Sequence, residues 1–299
     1  MISVKNIRKT YLKGSVVALD DVSLDVAQGE LYGLIGPDGA GKTTLFRLIA
    51  TLLLADSGTA SLHDLDAVKD FRAIRNIIGY MPGRFSLYQD LTVEENLKFF
   101  ATVFDTTIEA NYHLIKDIYV QLEPFKTRRA GKLSGGMKQK LALCCALIHE
   151  PKVLLLDEPT TGVDPVSRKE FWEMLGRLRA RGITILVSTP YMDEAARCDR
   201  ISLIQKGRIL ATDTPQGITQ RFGSPLFAFK SGNMHRLLTA LRTWSGTATC
   251  YAFGESHHVT FADQATPQAA LEHLTKLGLD DVSFQPIEPN IEDVFMALS

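Results

Sequence analysis

Gly36-Pro37-Asp38-Gly39-Ala40-Gly41-Lys42-Thr43-Thr44 lies between a short apolar run, Leu31 to Ile35, and an amphipathic stretch carrying Leu45, Phe46, Leu48 and Ile49. The change of period predicts a strand, a tight loop and a helix N-terminus. Glycines at 36, 39 and 41 permit backbone angles that a Cβ discourages, so successive N–H groups can turn into one concave nest. An anion fits such a nest. Lys42 adds a point charge suited to β- and γ-phosphates, Thr43 offers a hydroxyl where Mg2+ sits beside a nucleotide, and the helix dipole favours negative charge. A glycine-rich turn with no ligand would require neither the Lys-Thr pair nor the strand-to-helix setting.

Downstream, Pro151-Lys152 leads into Val153-Leu154-Leu155-Leu156-Asp157-Glu158-Pro159. Four consecutive apolar residues mark a strand buried on both faces, and its two carboxylates reach the mouth of a parallel sheet. Asp157 is read as holding Mg2+ through water, and Glu158 as orienting or deprotonating an attacking water. The plainer alternative, two acids capping the turn before Thr160-Thr161-Gly162, leaves the upstream loop unexplained. Between these segments, Leu133-Ser134-Gly135-Gly136-Met137-Lys138-Gln139 opens another helix, and Ser134, Gly135 and Gly136 at its start form a second anion site by the same dipole logic. One nucleotide needs only one cradle per chain. The second makes sense if it faces the γ-phosphate of a nucleotide held by another subunit.

Composition is consistent with this reading. The chain has 299 residues, 45% hydrophobic and 22% charged, with a formal net charge of −1, which suits a globular protein of about two domains. No overall basic field is present to attract nucleic acid, which is not an expected partner. Four cysteines, Cys144, Cys145, Cys198 and Cys250, lack metal-ligand spacing and are expected to be buried, reduced thiols of a cytosolic protein. Neither an N-terminal signal pattern nor an apolar run approaching the ~20 residues of a membrane span is seen, so the chain is expected to be soluble by itself.

The rest of the chain supplies the setting. Ile2 to Tyr11 and Val16 to Val26 alternate as antiparallel strands with one buried face. Tyr11, ending the first, is placed either to stack on adenine or as an ordinary edge-strand tyrosine. After the phosphate-loop helix a short strand, a helix from Val68 to Asn76 and a strand from Ile77 to Met81 are expected. Helices follow over Val93 to Phe104, with Thr92 and Glu95 as a capping box, and over Ile108 to Leu122. Ile183 to Val187 is a further buried strand; Thr189 is expected to cap a short helix beginning at Pro190, and Ile201 to Ala211 form a hairpin turning at Lys206-Gly207. Beyond a linker at Gly223-Ser224-Pro225, the order strand, helix, hairpin, helix, strand, helix predicts a small α+β domain, ferredoxin-like in order. His257-His258 there alternates in a strand and is read as exposed surface rather than a metal site.

The joint presence of Gly36 to Thr44, Leu133 to Gln139, Val153 to Glu158 and Gly162 to Pro165, in this order, resembles the nucleotide-binding subunits of ABC transporters. Residues 133–139 look like that family's signature sequence and 162–165 like its D-loop. The resemblance implies an α/β P-loop cassette over residues 1–222, with a mixed, largely parallel core sheet, an antiparallel β subdomain and a helical subdomain at about 84–150. Residues 223–299 are similar to the α+β extension of bacterial drug-exporter ATPase subunits. It also implies ATP and Mg2+ as ligands, Asp164 near the shared nucleotide, a second cassette, a membrane permease partner, and residence on the inner face of the cell membrane. Two positions depart from the pattern. The family's glutamine after the strand ending at Met81 is replaced by Gly83 following Pro82, with Gln89 six positions later. Its histidine after Ser188-Thr189 is replaced by Pro190.

These departures lead to the expectation that the chain binds Mg-ATP but hydrolyses it slowly at its own Lys42 site, while its intact signature completes a competent partner's site. The leading reading is the ATPase subunit of a bacterial ABC exporter. The readings set against it are a regulatory nucleotide-binding subunit that never turns over, and a soluble ABC protein of translation or DNA repair. The last normally shows two cassettes, zinc-binding insertions or basic surfaces.

Overall fold

The computed structural model describes residues 1–299, the side chain of Lys13 excepted. The chain forms two compact units, Met1–Pro215 and Gln216–Leu298. In the first, strands β1 (Ile2–Tyr11), β2 (Val16–Val26), β3 (Leu31–Ile35), β4 (Ser57–Leu62), β5 (Leu65–Asp66), β6 (Ile78–Met81), β7 (Val153–Asp157), β8 (Thr184–Thr189), β9 (Arg200–Gln205) and β10 (Arg208–Asp213) build two sheets. The helices are α1 (Lys42–Ile49), α2 (Phe71–Ile77), α3 (Val93–Val103), α4 (Ile108–Tyr119), α5 (Gly135–Leu147) and α6 (Pro165–Ala180), and α7 (Pro215–Gln220) follows at the unit boundary.

The alternating strands form the antiparallel sheet β2-β1-β4-β5, and the continuously apolar ones form the six-stranded sheet β10-β9-β3-β8-β7-β6. Within the latter only β10 runs antiparallel. Every residue of β3, β7 and β8 is buried, as expected of parallel strands covered on both faces. Helix α1 lies in the core between the sheets: Leu45, Phe46, Leu48 and Ile49 pack with Ile2, Val4, Leu24 and Val26 from the antiparallel side and with Leu34, Leu155 and Leu186 from the parallel side. Helix α5 is buried around most of its circumference, which suits its place against β6, α3, α4 and α6.

The expected capping box at the start of α3 is present: Thr92 Oγ1 accepts from Glu95 N, and Thr92 N donates to Glu95 Oε2 at 2.8 Å. The region between α1 and β6 differs from expectation, with two short strands rather than one and a helix starting at Phe71, because Asp66 caps a turn through its bonds from Val68 N and Lys69 N. A second difference follows β8. No helix begins at Pro190; a 3-10 turn spans Met192–Arg197 with Tyr191 at its N-cap position and no side-chain cap. Thr189 ends the strand instead and directs its hydroxyl to Glu194.

The second unit contains β11 (Leu226–Lys230), α8 (Met234–Thr243), β12 (Thr247–Phe253), β13 (Ser256–Phe261), α9 (Pro267–Lys276), β14 (Ser283–Ile287) and α10 (Ile291–Leu298). Its antiparallel sheet has the order β12-β13-β11-β14, the ferredoxin-like arrangement. The histidines here correct the expectation of exposed surface. His257 is buried with Nε2 2.7 Å from the Met234 carbonyl oxygen, and His258 is half-buried with Nδ1 2.7 Å from Asp293 Oδ1. β13 is an inner strand, with α8 on one face and α10 on the other, so alternation leaves neither histidine in solvent.

The chain between β6 and α3 depends on Asn96, which is fully buried. Its Oδ1 accepts from Tyr88 N at 3.0 Å, and its Nδ2 donates to Tyr88 O at 3.0 Å and Thr92 O at 2.9 Å. Asn96→Ala leaves these backbone groups without partners. It is expected to lower unfolding stability by about 2 kcal/mol in a denaturant titration, the usual cost of stranding buried polar groups; a change within ~0.5 kcal/mol would show that water replaces the amide.

Candidate nucleotide site

Parallel pairing gathers the site. The register aligns Ile35 with Thr189, Ser188 with Asp157 and Leu156 with Met81, so the segments after β3, β8, β7 and β6 emerge side by side at the carboxyl edge of one sheet. Gly36 N donates to Thr189 O at 3.2 Å, continuing the ladder into the loop.

Glycine is required at two points of this loop. A Cβ on Gly36 would stand 2.1 Å from the Ile204 carbonyl oxygen, and one on Gly41, whose φ is +105°, would stand 2.4 Å from that of Ala18. Gly39, also at positive φ, faces open space, and Pro37, Asp38 and Ala40 complete the turn, which is closed by Ala40 N donating to Pro37 O at 3.2 Å. α1 has no side-chain cap, so its first amide groups remain directed at the loop's mouth.

Lys42 is buried. Its Nζ donates to Gly36 O at 2.7 Å and Pro37 O at 3.0 Å, and lies 3.0 Å from Glu158 Oε1. The ammonium is thus held inside the loop with the carboxylate against it. Glu158 has a φ of +51°, outside the range usual for a residue with a side chain, and its N–H donates to Ser188 Oγ at 3.0 Å.

Asp157 is buried, with Oδ1 accepting from Ser188 Oγ at 2.7 Å while Oδ2 has no hydrogen-bond partner. Burial pushes its carboxyl above the ordinary value, opposed by the hydroxyls of Ser188 and Thr43. A buried, unpartnered carboxylate oxygen with a threonine hydroxyl nearby is an all-oxygen donor set that fits Mg2+.

The departures from the expected pattern fall at this same edge. A Cβ on Gly83 would lie 3.1 Å from the Asp157 carbonyl oxygen and 3.7 Å from Asp157 Oδ2, so the missing glutamine side chain would have started beside the acid. Gln89 is exposed, and its carbonyl oxygen accepts from Gly131 N at 2.9 Å. Pro190 follows the residue bonded to Gly36 and offers no donor there.

Tyr11 is 37% exposed, and its hydroxyl is 3.4 Å from Thr44 Oγ1, which puts the ring beside α1. Ser134, Gly135 and Gly136 form the start of α5, where Ser134 Oγ accepts from Met137 N at 3.3 Å. They pack against the segment around Asp164: a Cβ on Gly136 would meet Ser167 Oγ at 2.7 Å, and Asp164 caps α6 by accepting from Ser167 N at 3.0 Å. Among the described residues, no hydrogen bond or ion pair joins residues 133–139 to residues 36–44. The chain therefore brings together Gly36 to Thr44, Tyr11, Asp157 and Glu158, and separately Ser134, Gly135, Gly136 and Asp164. Ser188, which holds both acids, was not singled out from the sequence; its only signal was a polar residue near the end of an apolar strand.

A family profile described as ABC transporter matches residues 19–161. The probable multidrug ABC transporter ATP-binding protein YbhF of Escherichia coli (strain K12) is 39% identical, over 100% of this chain and 52% of that protein. The chain thus spans about half the length of that curated relative. The Nod factor export ATP-binding protein I of Mesorhizobium japonicum is 34% identical, over 100% of this chain and 86% of its own length. Among solved structures, the dimeric post-hydrolysis state of the ATP-binding cassette MJ0796 bound to ADP and Pi is similar with a TM-score of 0.65 at 26% identity, over 72% of this chain and 98% of that one. With Gly36 to Thr44, Asp157 and Glu158 gathered at one sheet edge, and with such relatives matched along its whole length, the chain belongs to the ABC transporter ATP-binding family.

Proposed function

We propose that this chain is the ATP-binding subunit of an ABC exporter, working with a separate membrane permease and a second cassette, and that the nucleotide site containing its own Lys42 turns over slowly. The observation that carries the reading is an intact binding and acid set, Gly36 to Thr44 with Asp157 and Glu158, beside two positions, Gly83 and Pro190, that offer no side-chain donor. The exporter assignment and the peripheral location draw on the names of the relatives; among the described residues no helix is long and apolar enough to cross a membrane.

Phosphate entering the loop would meet the amides of α1 and draw Lys42 Nζ away from Glu158. That exchange frees the Glu158 carboxylate to accept a proton from an attacking water. Thr43 and Asp157 would hold Mg2+, which supplies charge against the phosphates. Loss of a transition-state donor typically lowers the rate ~10²–10³-fold while leaving ground-state binding intact. Ser134 and Gly136, which among the described residues make no hydrogen bond or ion pair with the loop of the same chain, are available to close the nucleotide site of a second cassette. A purely regulatory subunit is the other reading, favoured by the same two substitutions and opposed by the retention of Glu158.

Three measurements test this reading. The purified chain is expected to bind Mg-ATP tightly but hydrolyse it slowly, and Gly83→Gln/Pro190→His to raise turnover about 10-fold or more without tighter binding. Turnover near the ~10 s⁻¹ of an ordinary enzyme in the unaltered chain would end the slow-site proposal. Glu158→Gln removes the ion pair that phosphate must displace and the base together. It should bind ATP several-fold more tightly and lose hydrolysis by about 10²-fold, judged from titration and single-turnover assays; weaker binding would count against the displacement step.

Asp157→Asn tests the metal role through pH. A carboxyl with a raised folded pKa takes up a proton in the folded state before it does so in the unfolded chain. Its destabilising effect is therefore absent below the ordinary carboxylate pKa of ~4 and grows as pH rises. The nucleotide-free variant should melt higher than the unaltered chain at neutral pH, with the difference shrinking toward pH 4, and the extra thermal protection that Mg2+ adds to ATP should disappear. Retained Mg2+-dependent protection would remove Asp157 from the metal site.

A further inference from the structure

Glu194 is 4% exposed, yet its carboxylate joins three segments that lie around the nucleotide site. Its Oε2 accepts from Thr189 Oγ1 at 2.5 Å and from Thr160 Oγ1 at 3.0 Å. Thr189 ends β8 immediately before Pro190, and its hydroxyl in turn accepts from Tyr191 N at 3.1 Å. Thr160 belongs to the turn that begins at Glu158, where Thr161 N donates to Glu158 O at 3.2 Å. One buried carboxylate oxygen therefore fixes the Pro190 segment against the segment carrying the proposed base.

The other oxygen faces the third segment. Glu194 Oε1 lies 3.9 Å from Arg168 Nε, and neither atom has a hydrogen-bond partner among the described residues. Arg168 stands in the first turns of α6, whose N-cap is Asp164, and Arg168 N donates to Asp164 O at 2.9 Å. Its guanidinium also lies over the Tyr191 ring, 4.3 Å from the centroid. Two buried, oppositely charged and unsatisfied atoms thus stand about 1 Å beyond charge-assisted hydrogen-bond range, which is ~2.7–2.9 Å. A small displacement of the Asp164 helix relative to the Pro190 segment closes that gap and satisfies both atoms.

We infer that Glu194 is a positioning residue: with Arg168 it couples the Asp164 segment to the Pro190 segment and, through Thr160, to the turn that aims Glu158. This inference rests on the ATPase reading above. In a chain lacking a histidine at position 190, the loop there gains its placement from this carboxylate rather than from contact with phosphate. When the Asp164 segment shifts, closure of the Arg168–Glu194 pair draws the three segments into one arrangement. Among the described residues no hydrogen bond or ion pair joins Glu194 or Arg168 to the loop at 36–44, so the coupling acts on the rate of hydrolysis and not on nucleotide affinity. Misplacement of a reacting group by about 1 Å is enough to slow a reaction by up to ~10²-fold.

The test compares the full chain with Glu194→Gln, Arg168→Gln and the double variant. Arg168→Gln leaves the Glu194–Thr160–Thr189 bonds untouched and guards against a folding defect in Glu194→Gln. Affinity for a fluorescent ATP analogue is measured by titration, and hydrolysis by single turnover with the chain in excess, followed for hours. Expected are affinities within about twofold of the unaltered chain, rates about tenfold lower in each single variant, no further loss in the double variant, and partial recovery with Arg168→Lys. Unchanged rates, independent losses that multiply in the double variant, or affinity and rate falling together would overturn the inference. So would an unaltered chain that binds ATP and never hydrolyses it. Failure of the unaltered chain to bind ATP would instead strike the ATP-binding reading itself.

Discussion

The site depends on β3 being buried between β8 and β9. The five residues of β3 are all covered, as befits a strand in the middle of a largely parallel sheet, and that position fixes where the following loop begins. The bond from Gly36 N to Thr189 O carries the ladder one residue beyond the strand, and the Ile204 carbonyl then crowds Gly36 so closely that no side chain fits. Everything proposed for nucleotide binding follows from that packing. The glycines, the uncapped start of α1 and the buried ammonium of Lys42 are set by that packing.

Buried charge is concentrated at this edge and incompletely compensated. Lys42 is matched by Glu158 and two carbonyl oxygens, whereas Asp157 retains one oxygen without a partner and Glu194 another. Removing charge from water costs several kcal/mol per ion unless geometry and hydrogen bonds restore it. A sheet edge that leaves such groups partly unmatched is one whose energetics improve when a metal, a phosphate or a shifted neighbour supplies the missing partner. The positive φ of Glu158 belongs to the same pattern, a strained residue held by Ser188 on the adjacent strand.

The sequence was most legible where one residue type has one physical use. Glycine spacing before Lys42-Thr43 announced the loop, a run of four apolar residues announced β7, and Thr92 with Glu95 announced the start of α3. Less legible were side chains whose partner is distant along the chain. Ser188 and Asp157 are 31 residues apart, and Thr160 and Glu194 are 34 apart. No local pattern marks such pairs. The histidines of β13 illustrate the converse case: alternation indicated that they point to opposite faces, but not that both faces are covered.

What the sequence by itself determined is the local inventory and its order: a glycine-rich loop before a helix, a Ser-Gly-Gly helix start and an acid-ended buried strand, while the departures at Gly83 and Pro190 are visible only against the pattern of the resembling family. The inventory follows from local chemistry, because backbone conformation, helix starts and strand burial are set by neighbours within a few positions. Only the tertiary structure decided that Gly83 stands over Asp157, that Glu158 rests against Lys42, that Thr189 serves Glu194 instead of capping a helix, and that Ser134 to Gly136 pack against the Asp164 segment. Each of those is a relation between strands or helices far apart in sequence. It comes into being when the register of the parallel sheet is set, and the side chains can meet only then.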